Sequence, residues 1–189
     1  MTLGELERAL YEKFPRENQA SWDNTGLLVG DPARPVGRLL VSLDITEEVV
    51  DEAVRLHAGA ILSHHPVIFR PLHAVSPRES RVVWLLLQNG LGAVCMHTNL
   101  DTSPGGVGDS LAAALGLEQV RSADGYLRVG RLPSPMAPDV FCALVAEKLG
   151  MRPQLYGHGE ETIETVAVAG GAYGEATAQA SLAGAQAFV

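Results

Sequence analysis

The sequence predicts an α/β protein in which a parallel sheet carries helices on its faces. Short apolar runs that suit buried strands alternate with segments whose apolar residues have helical spacing. This β-α-β order favours parallel strands, because the helix returns the chain to the edge at which the first strand began. The chain has 189 residues, of which 47% are hydrophobic, so it can bury a core in one or two domains.

The first predicted element is an amphipathic helix over residues 3–14, where apolar residues recur at helical spacing. Pro15 ends it, because proline cannot continue the backbone hydrogen bonding of a helix. A polar loop over residues 18–26 follows, and it leads into a short strand over residues 27–29.

A β-α-β unit comes next. Residues 38–43 predict a buried strand that ends at Asp44, and Thr46 suits the N-cap of the helix after it. A second strand over residues 60–62 then runs directly into two histidines. The two strands are therefore expected to lie parallel in one sheet.

The predicted elements divide the chain into three parts. A helix over residues 79–89, a strand over 91–96 and a helix over about 107–115 complete a first α/β lobe at residues 1–120. The segment 121–163 looks different, with three prolines around the start of its helix, and we interpret it as a small α+β insertion. Its predicted elements are a strand over 126–129, a helix over 138–149 and a further strand that begins at Leu155-Tyr156.

Residues 164–189 repeat an earlier pattern at a constant offset of 125 residues. Residues 165–169 match residues 40–44, and residues 183–185 match residues 58–60, with an Ala-rich helix between. Chance similarity in a stretch rich in Ala and Gly is the alternative. If the repeat is real, this segment is the start of a second α/β lobe that the sequence leaves incomplete.

Composition excludes several classes of function. The formal net charge of −8 disfavours nucleic acid as a partner, because phosphate contacts need Lys and Arg. No apolar run approaches the roughly 18 residues of a membrane span, and the N-terminus lacks the features of a signal peptide. Cys95 and Cys142 are isolated within apolar segments, so we expect core residues in a cytoplasmic protein.

Four candidate metal ligands lie in two short clusters. His64 and His65 follow one predicted strand, and His97 and Asp101 follow another. Ligands from two strand ends can converge at the carboxyl edge of an open α/β sheet. Imidazole mixed with carboxylate suits divalent Zn, Fe, Mn or Ni, and the scarcity of thiols favours a catalytic over a closed structural site. For the adjacent histidines alone, an alternative is one buried and one exposed side chain without metal.

Further polar residues stand near these clusters in the sequence. Asp44 ends a third predicted strand, so it is a candidate for a metal ligand or for a residue that orients one, unless it only begins a helix. Trp22, Asp23 and Asn24 lie on the polar loop and are candidates for lining the pocket. Trp22 itself is either a plug in the core or a lid over the site.

Four motifs in a fixed order resemble a known family. They are Ser21-Trp22-Asp23-Asn24-Thr25-Gly26-Leu27-Leu28-Val29-Gly30, Ser42-Leu43-Asp44, Ser63-His64-His65-Pro66 and His97-Thr98-Asn99-Leu100-Asp101. Together they resemble the Nif-three-like family of dinuclear metal-centre proteins, also called GTP cyclohydrolase 1 type 2 homologues. The resemblance runs from about residue 3 to the C-terminus.

The resemblance implies two intertwined α/β/α lobes, homohexamers and a pair of divalent metal ions. On the matching positions His64, His65 and Asp101 would be ligands, and His97 would be a ligand or line the site. It also implies a metal-dependent hydrolase that acts on a nucleotide or a phosphate-containing small molecule. The alternative is a metal-binding scaffold or regulatory interaction protein without turnover.

Members of the family usually add a His-x-x-x-Glu pair near the C-terminus. The nearest segment here, His158-Gly159-Glu160-Glu161, has a different spacing. We therefore expect a truncated family member that presents one half of a dinuclear site, in which at least one ion binds weakly.

Overall fold

The computed structural model of the protein describes residues 1–157 and 162–189 and has two four-stranded mixed sheets with helices packed on them. The predicted α/β class is confirmed. The chain forms two compact units, Met1–Leu100 and Asp101–Val189. The sequence-based boundaries at residues 120 and 163 stay predictions.

The first unit contains four strands and three complete α-helices among its described residues, besides a 3₁₀ turn at Arg16–Asn18. In chain order they are α1 (Leu3–Lys13), β1 (Gly26–Val29), β2 (Leu39–Ser42), α2 (Glu47–Arg55), β3 (Ala60–Ser63), α3 (Arg81–Gln88) and β4 (Gly92–Cys95). A short helix, α4 (Thr98–Thr102), spans the division between the units. Thr2 begins α1 with a capping box, in which it exchanges hydrogen bonds with Glu5.

The sheet of the first unit has the strand order β1-β4-β3-β2. The strands β2, β3 and β4 are parallel, and β1 runs antiparallel to β4. Alternate side chains of the strands enter two separate cores, because successive residues of a strand point to opposite faces. Ile61 and Ala93 pack with α2 and α3 on one face, while Ala60 and Val94 pack with α1 on the other.

The second unit contains the remaining elements. They are α5 (Val107–Ala114), β5 (Glu118–Ser122), β6 (Arg128–Met136), α6 (Pro138–Leu149), β7 (Ile163–Val168), α7 (Thr177–Leu182) and β8 (Ala187–Phe188). The strand order is β5-β6-β7-β8, and only β7 and β8 are parallel. Apolar residues of α5 and α6 pack with residues of β6 and β7 in one buried core.

The predicted repeat has the same strand register in both copies. In the first copy Val41 pairs with Leu62, and in the second Val166 pairs with Ala187, which is the same pair at an offset of 125 residues. Ser42 with Ser63 and Ala167 with Phe188 show the same offset. The two β-α-β segments are therefore alike in pairing as well as in sequence pattern.

The structure differs from the sequence-based expectation at three short elements. Strand β5 was not predicted, because Val120 is its single apolar residue and all its residues are exposed. Helix α4 was also missed, since five residues are too few for a periodic pattern. The strand expected at Leu155-Tyr156 is absent, and both side chains are exposed.

No helix in the described part of the chain is suited to crossing a membrane. The longest of them, α6, has 12 residues, whereas a membrane span needs about 20.

Candidate metal centre

Three parallel strands end side by side in the first unit. Ser42 pairs with Ser63, and Ser63 pairs with Cys95, so these residues form one row across β2, β3 and β4. Two residues beyond that row stand Asp44, His65 and His97. Neighbouring strands lie about 4.8 Å apart, so equal positions after adjacent strands bring side chains together. The register of the sheet thus accounts for the convergence that the sequence predicted at this edge.

Three histidines form a cluster at this edge. One ring nitrogen from each of His64, His65 and His97 lies within 4.8 Å of the others. The ring centroids of His64 are 5.0 Å from His65 and 5.1 Å from His97, and those of His65 and His97 are 5.7 Å apart. The rings are tilted or edge-on to one another rather than stacked, so their nitrogens can converge on a common point.

Each ring is held through its Nδ1 atom by an oxygen that can only accept a hydrogen bond. Nδ1 of His64 is 3.1 Å from the carbonyl of Met96, and Nδ1 of His65 is 2.7 Å from the Asp44 carboxylate. Nδ1 of His97 is 2.8 Å from the carboxylate of Asp23. Nδ1 must therefore be the donor, and in a neutral imidazole Nε2 then carries the lone pair. In all three rings Nε2 is the atom that can bind a metal.

Asp23 holds His97 through a side chain that is buried. Its side chain has 0% exposure, and it accepts hydrogen bonds from His97, from the Asn24 N–H at 2.8 Å, and from both the N–H and the hydroxyl of Thr98. Burial opposes ionisation of Asp23, but the bonds from Thr98, His97 and Asn24 outweigh it and lower the pKa of the carboxyl. A buried carboxylate therefore fixes the orientation of His97.

The antiparallel strand β1 explains why Asp23 lies there. Gly26 pairs with Cys95, and continuing that register beyond the strand places Asp23 opposite Thr98. Asp23 is expected from the sequence to line a pocket, and that role stays a prediction. Its contacts show that its buried carboxylate accepts a hydrogen bond from His97.

Sequence reasoning missed two residues that support the same histidine. Thr98 is buried, and its hydroxyl bonds to Asp23 and accepts the N–H of Ala20 at 2.9 Å. Asn99 is fully buried, accepts the N–H of His97 at 3.0 Å and donates to the carbonyl of Phe14 at 2.8 Å. The only signal was their place within the His97-to-Asp101 motif, because polar residues after a strand look like an ordinary loop.

The two candidate carboxylates occupy different positions. Asp44 is exposed and bonds to His65, so it orients that imidazole as a partner of the ring. Asp101 lies on α4 and is the first residue of the second unit, and the cluster found among the described residues contains only the three histidines. A ligand role for Asp101 stays a prediction.

The other loop residues surround the cluster in two ways. Trp22 is 61% exposed, which excludes a plug in the core, and its ring lies edge-on to Phe69 and to His97. Asn24 donates from its side chain to the carbonyl of Ile68 at 2.6 Å. It thereby ties the loop before β1 to the segment that follows His65.

The two cysteines do not add to the site. Cys95 is buried and its thiol donates to the carbonyl of His64 at 3.0 Å. Burial, with the negative charge of Asp23 next in importance, raises the pKa of this thiol to about 12, so it stays protonated and is a poor metal ligand. Cys142 lies on α6 in the second unit, and His158 lies outside the described residues.

The donor set fits a divalent transition metal. Three imidazoles, each with Nδ1 held by an oxygen acceptor, are the type of ligand set found in many zinc sites with an open position. Imidazole also suits Fe and Ni, and nothing in the cluster excludes either. The three histidines are enough for one ion, and a second ion needs oxygen donors in addition.

Curated proteins and solved structures are similar to this chain. A curated "GTP cyclohydrolase 1 type 2 homolog" of Streptomyces coelicolor is 37% identical over 202 residues, which cover 99% of this chain and 71% of the relative. A protein of the same name from Halalkalibacterium halodurans is 39% identical over 120 residues, which cover 62% of this chain but only 32% of that relative. A hypothetical protein of Staphylococcus aureus with a solved structure has a TM-score of 0.94 at 26% identity, over 100% of this chain and 78% of that one.

A family model covers the whole sequence as well. The model described as Duf34/NIF3 (NGG1p interacting factor 3) matches residues 1–189. With the histidine cluster at the strand ends, this match and the relatives above establish that the chain belongs to the Duf34/NIF3 family.

Proposed function

We propose that this chain is a metal-dependent hydrolase whose divalent ions bind at His64, His65 and His97. The observation that carries the proposal is the convergence of three imidazole nitrogens within 4.8 Å, each ring held through Nδ1 by an oxygen acceptor. Structural histidines on a surface need no such arrangement. Three imidazoles whose nitrogens lie this close together, with each ring oriented through Nδ1, are suited to hold an ion.

The proposal includes two ions per chain, bound with unequal affinity. The imidazoles supply enough nitrogen donors for one ion, and Asp101 is the predicted oxygen donor for the second, with Asp44 near His65 as a further candidate. Carboxylates can bridge two ions, but few carboxylates are candidates at this cluster. The second ion should therefore bind more weakly than the first.

In the proposed reaction the metal ion and the protein side chains have different roles. A bound divalent ion polarises a carbonyl or phosphoryl oxygen and lowers the pKa of a coordinated water towards about 7. Asp23 and Asp44 hold the rings of His97 and His65 in fixed orientations, so the donors need not reorganise during turnover. The Trp22 and Phe69 side chains lie edge-on to His97 at the side of the cluster.

The substrate class rests on the relatives. Proteins named as homologues of a GTP cyclohydrolase support a nucleotide or another phosphate-containing small molecule. Family resemblance likewise supports homohexamers, which native mass spectrometry of the purified protein would test.

The first experiment measures metal binding directly. After removal of metal with a chelator, titration calorimetry with Zn²⁺ should show one tight site per chain and a second, weaker one. His97→Ala should remove the tight site, because it deletes one of three nitrogen donors. His73→Ala is the matched control, since His73 is exposed and outside the cluster.

The second experiment measures turnover by the metal-loaded protein on GTP and on simple phosphodiesters. Turnover that falls at least tenfold in His97→Ala but not in His73→Ala would support the hydrolase. Tight metal binding with no turnover of any substrate would favour the metal-binding scaffold instead. Absence of metal binding would exclude both.

A further inference from the structure

The side chains of Trp22 and Phe69 form an exposed aromatic corner beside the histidine cluster. Their ring centroids are 5.9 Å apart and their planes meet at 71°. Both rings also lie edge-on to His97, at 6.3 Å for Trp22 and 6.4 Å for Phe69. We define the aromatic corner as these two side chains.

Both rings are exposed although they belong to a folded unit with two apolar cores. Trp22 is 61% exposed and Phe69 is 48% exposed. An indole buries a large apolar area when it packs, so leaving it in water forgoes a substantial gain in stability. Within this chain the aromatic corner is therefore a surface that has room for another molecule.

The backbone under the aromatic corner is firmly attached. Asp23, next to Trp22, is fully buried, accepts hydrogen bonds from Thr98 and His97, and donates its own N–H to Ala20 at 3.0 Å. Asn24 bonds to the carbonyl of Ile68, the residue before Phe69. The loops that carry the two rings are thus joined to each other and to the edge of the sheet.

A fixed backbone that presents exposed rings is the arrangement of a preorganised binding site. The backbone is already ordered in the free protein, so binding of a stacked ligand costs less conformational entropy and its affinity is higher. The flat faces suit a planar ring, since offset stacking between aromatic groups is favourable and does not depend on which base is stacked.

We propose that the aromatic corner binds a planar heteroaromatic ring of the substrate, with the indole of Trp22 against its face and Phe69 against its edge. The position of both rings beside His97 places the rest of such a ligand at the histidine cluster. This proposal rests on the proposed function only for that last point. The ring-binding step itself needs no turnover.

The sequence offers a direct probe, because it contains two tryptophans and the other can be removed. Trp84 lies on α3 and is partly exposed. In a Trp84→Phe background, the fluorescence of Trp22 reports on the aromatic corner alone. Metal-loaded protein in this background would be titrated with guanosine, adenosine, cytidine and ribose 5-phosphate.

The nucleosides should quench Trp22 in a saturable manner, and ribose 5-phosphate should not, because it carries no ring to stack. In calorimetric titrations, Trp22→Leu should weaken guanosine binding about tenfold, and Phe69→Leu by a smaller factor. Tyr156→Leu is the control, since Tyr156 is a highly exposed aromatic residue of the second unit. Circular dichroism would show that each variant is folded.

Three outcomes would overturn the proposal. The first is no saturable binding of any nucleoside, and the second is binding that Trp22→Leu leaves unchanged. The third is a change of oligomer size in Trp22→Leu with nucleoside affinity preserved, which would make the aromatic corner an interface between copies. Failure of the proposed function looks different, because ring binding would persist without metal-dependent turnover.

Discussion

The two β-α-β segments of this protein have the same strand pairing but end in different chemistry. In the first, the backbone N–H of His64 bonds to the carbonyl of Ser42 at 3.3 Å. In the second, the N–H of Val189 bonds to the carbonyl of Ala167 at 3.0 Å, which is the same bond 125 residues later. The backbone frame at the two strand ends is thus nearly the same.

The side chains that follow the strands of the two segments differ completely. Asp44 and His64 come within two residues of the ends of β2 and β3, whereas Ala169 and Val189 come directly after β7 and β8. The first segment thereby places an imidazole and a carboxylate at its edge, while the second places two apolar residues there. The comparison teaches that the β-α-β frame supplies positions, and that the residue types after each strand decide whether those positions hold a metal site.

The largest effect is expected at the buried carboxylate that supports the first segment's edge. Asp23→Asn replaces one acceptor oxygen by an N–H donor that faces His97 or Thr98, so one of their hydrogen bonds must be lost. Zn²⁺ affinity should fall about 10- to 100-fold, and the free energy of unfolding by about 2 kcal/mol. Calorimetric titration and urea denaturation would measure the two.

Asp31→Asn is the control for that variant. Asp31 caps an exposed turn through the Ala33 N–H and lies away from the cluster. If both variants lowered Zn²⁺ affinity equally, Asp23 would have no special role in orienting His97.

A smaller loss of metal affinity should follow when the first segment is given the residue of the second. Asp44→Ala removes the acceptor for Nδ1 of His65, and the exposed position tolerates the smaller side chain. We expect Zn²⁺ affinity to fall about tenfold with little change in the melting temperature. A fall in stability without a fall in affinity would contradict the assignment of Asp44 as an orienting residue.

The turns after α2 and α7 test how backbone conformation affects the free energy of unfolding. His57 follows α2 with φ of 53°, and Gly184 follows α7 with φ of 87°. The N–H groups of Ala58 and Ala185 then bond five residues back in the same way, so the two turns have the same hydrogen bonding. A side chain is disfavoured in this left-handed region.

His57→Gly should therefore raise the free energy of unfolding by about 1 kcal/mol, and Gly184→Ala should lower it by about the same amount. Open space surrounds Gly184, so the second change tests conformation without a clash. Urea denaturation would measure both changes in the free energy of unfolding. Changes of the same sign would exclude left-handed backbone conformation as their cause.

Ser42 and its counterpart Ala167 provide another comparison. The hydroxyl of Ser42 is buried and has no hydrogen-bond partner among the described residues. Ser42→Ala should raise the free energy of unfolding by up to about 1 kcal/mol, because it removes an unpaired polar group. Ser63→Ala should lower it by about 1 kcal/mol, because that buried hydroxyl donates to the carbonyl of His65. Thermal denaturation would show whether the two serines differ in sign.

The smallest effect is expected in the stability of the second unit at acid pH. Burial opposes ionisation of Asp109, but bonds from the Gly105 N–H and from Arg128 lower the pKa of its carboxyl. Its stabilising contribution is therefore present above the ordinary value of 3.8 and is lost as the pH falls through the lower, folded-state value. Between about pH 5 and pH 2, Asp109→Asn should lose less stability than the unmodified protein, as urea denaturation would show. Equal losses would contradict the assignment.

Much of the fold could be predicted from local patterns. The helix at Pro138–Leu149 was predicted to the residue, since apolar periodicity and a proline at its start both mark it. Strand β5 could not be predicted, because an exposed edge strand has no apolar alternation. The histidines were visible as residues after apolar runs, whereas the role of Asp23 was not, because a carboxylate in a polar loop looks solvated.

The sequence by itself determined the residue types that follow each strand, and hence that imidazoles stand at one edge of the first sheet. It also determined the repeat, because an apolar pattern is local and survives in the residues themselves. Only the tertiary structure decided that Asp23 and Asp44 accept from His97 and His65, and that Trp22 and Phe69 meet beside them. Those pairs are distant in sequence, and the strand register that unites them depends on hydrogen bonds across the whole sheet.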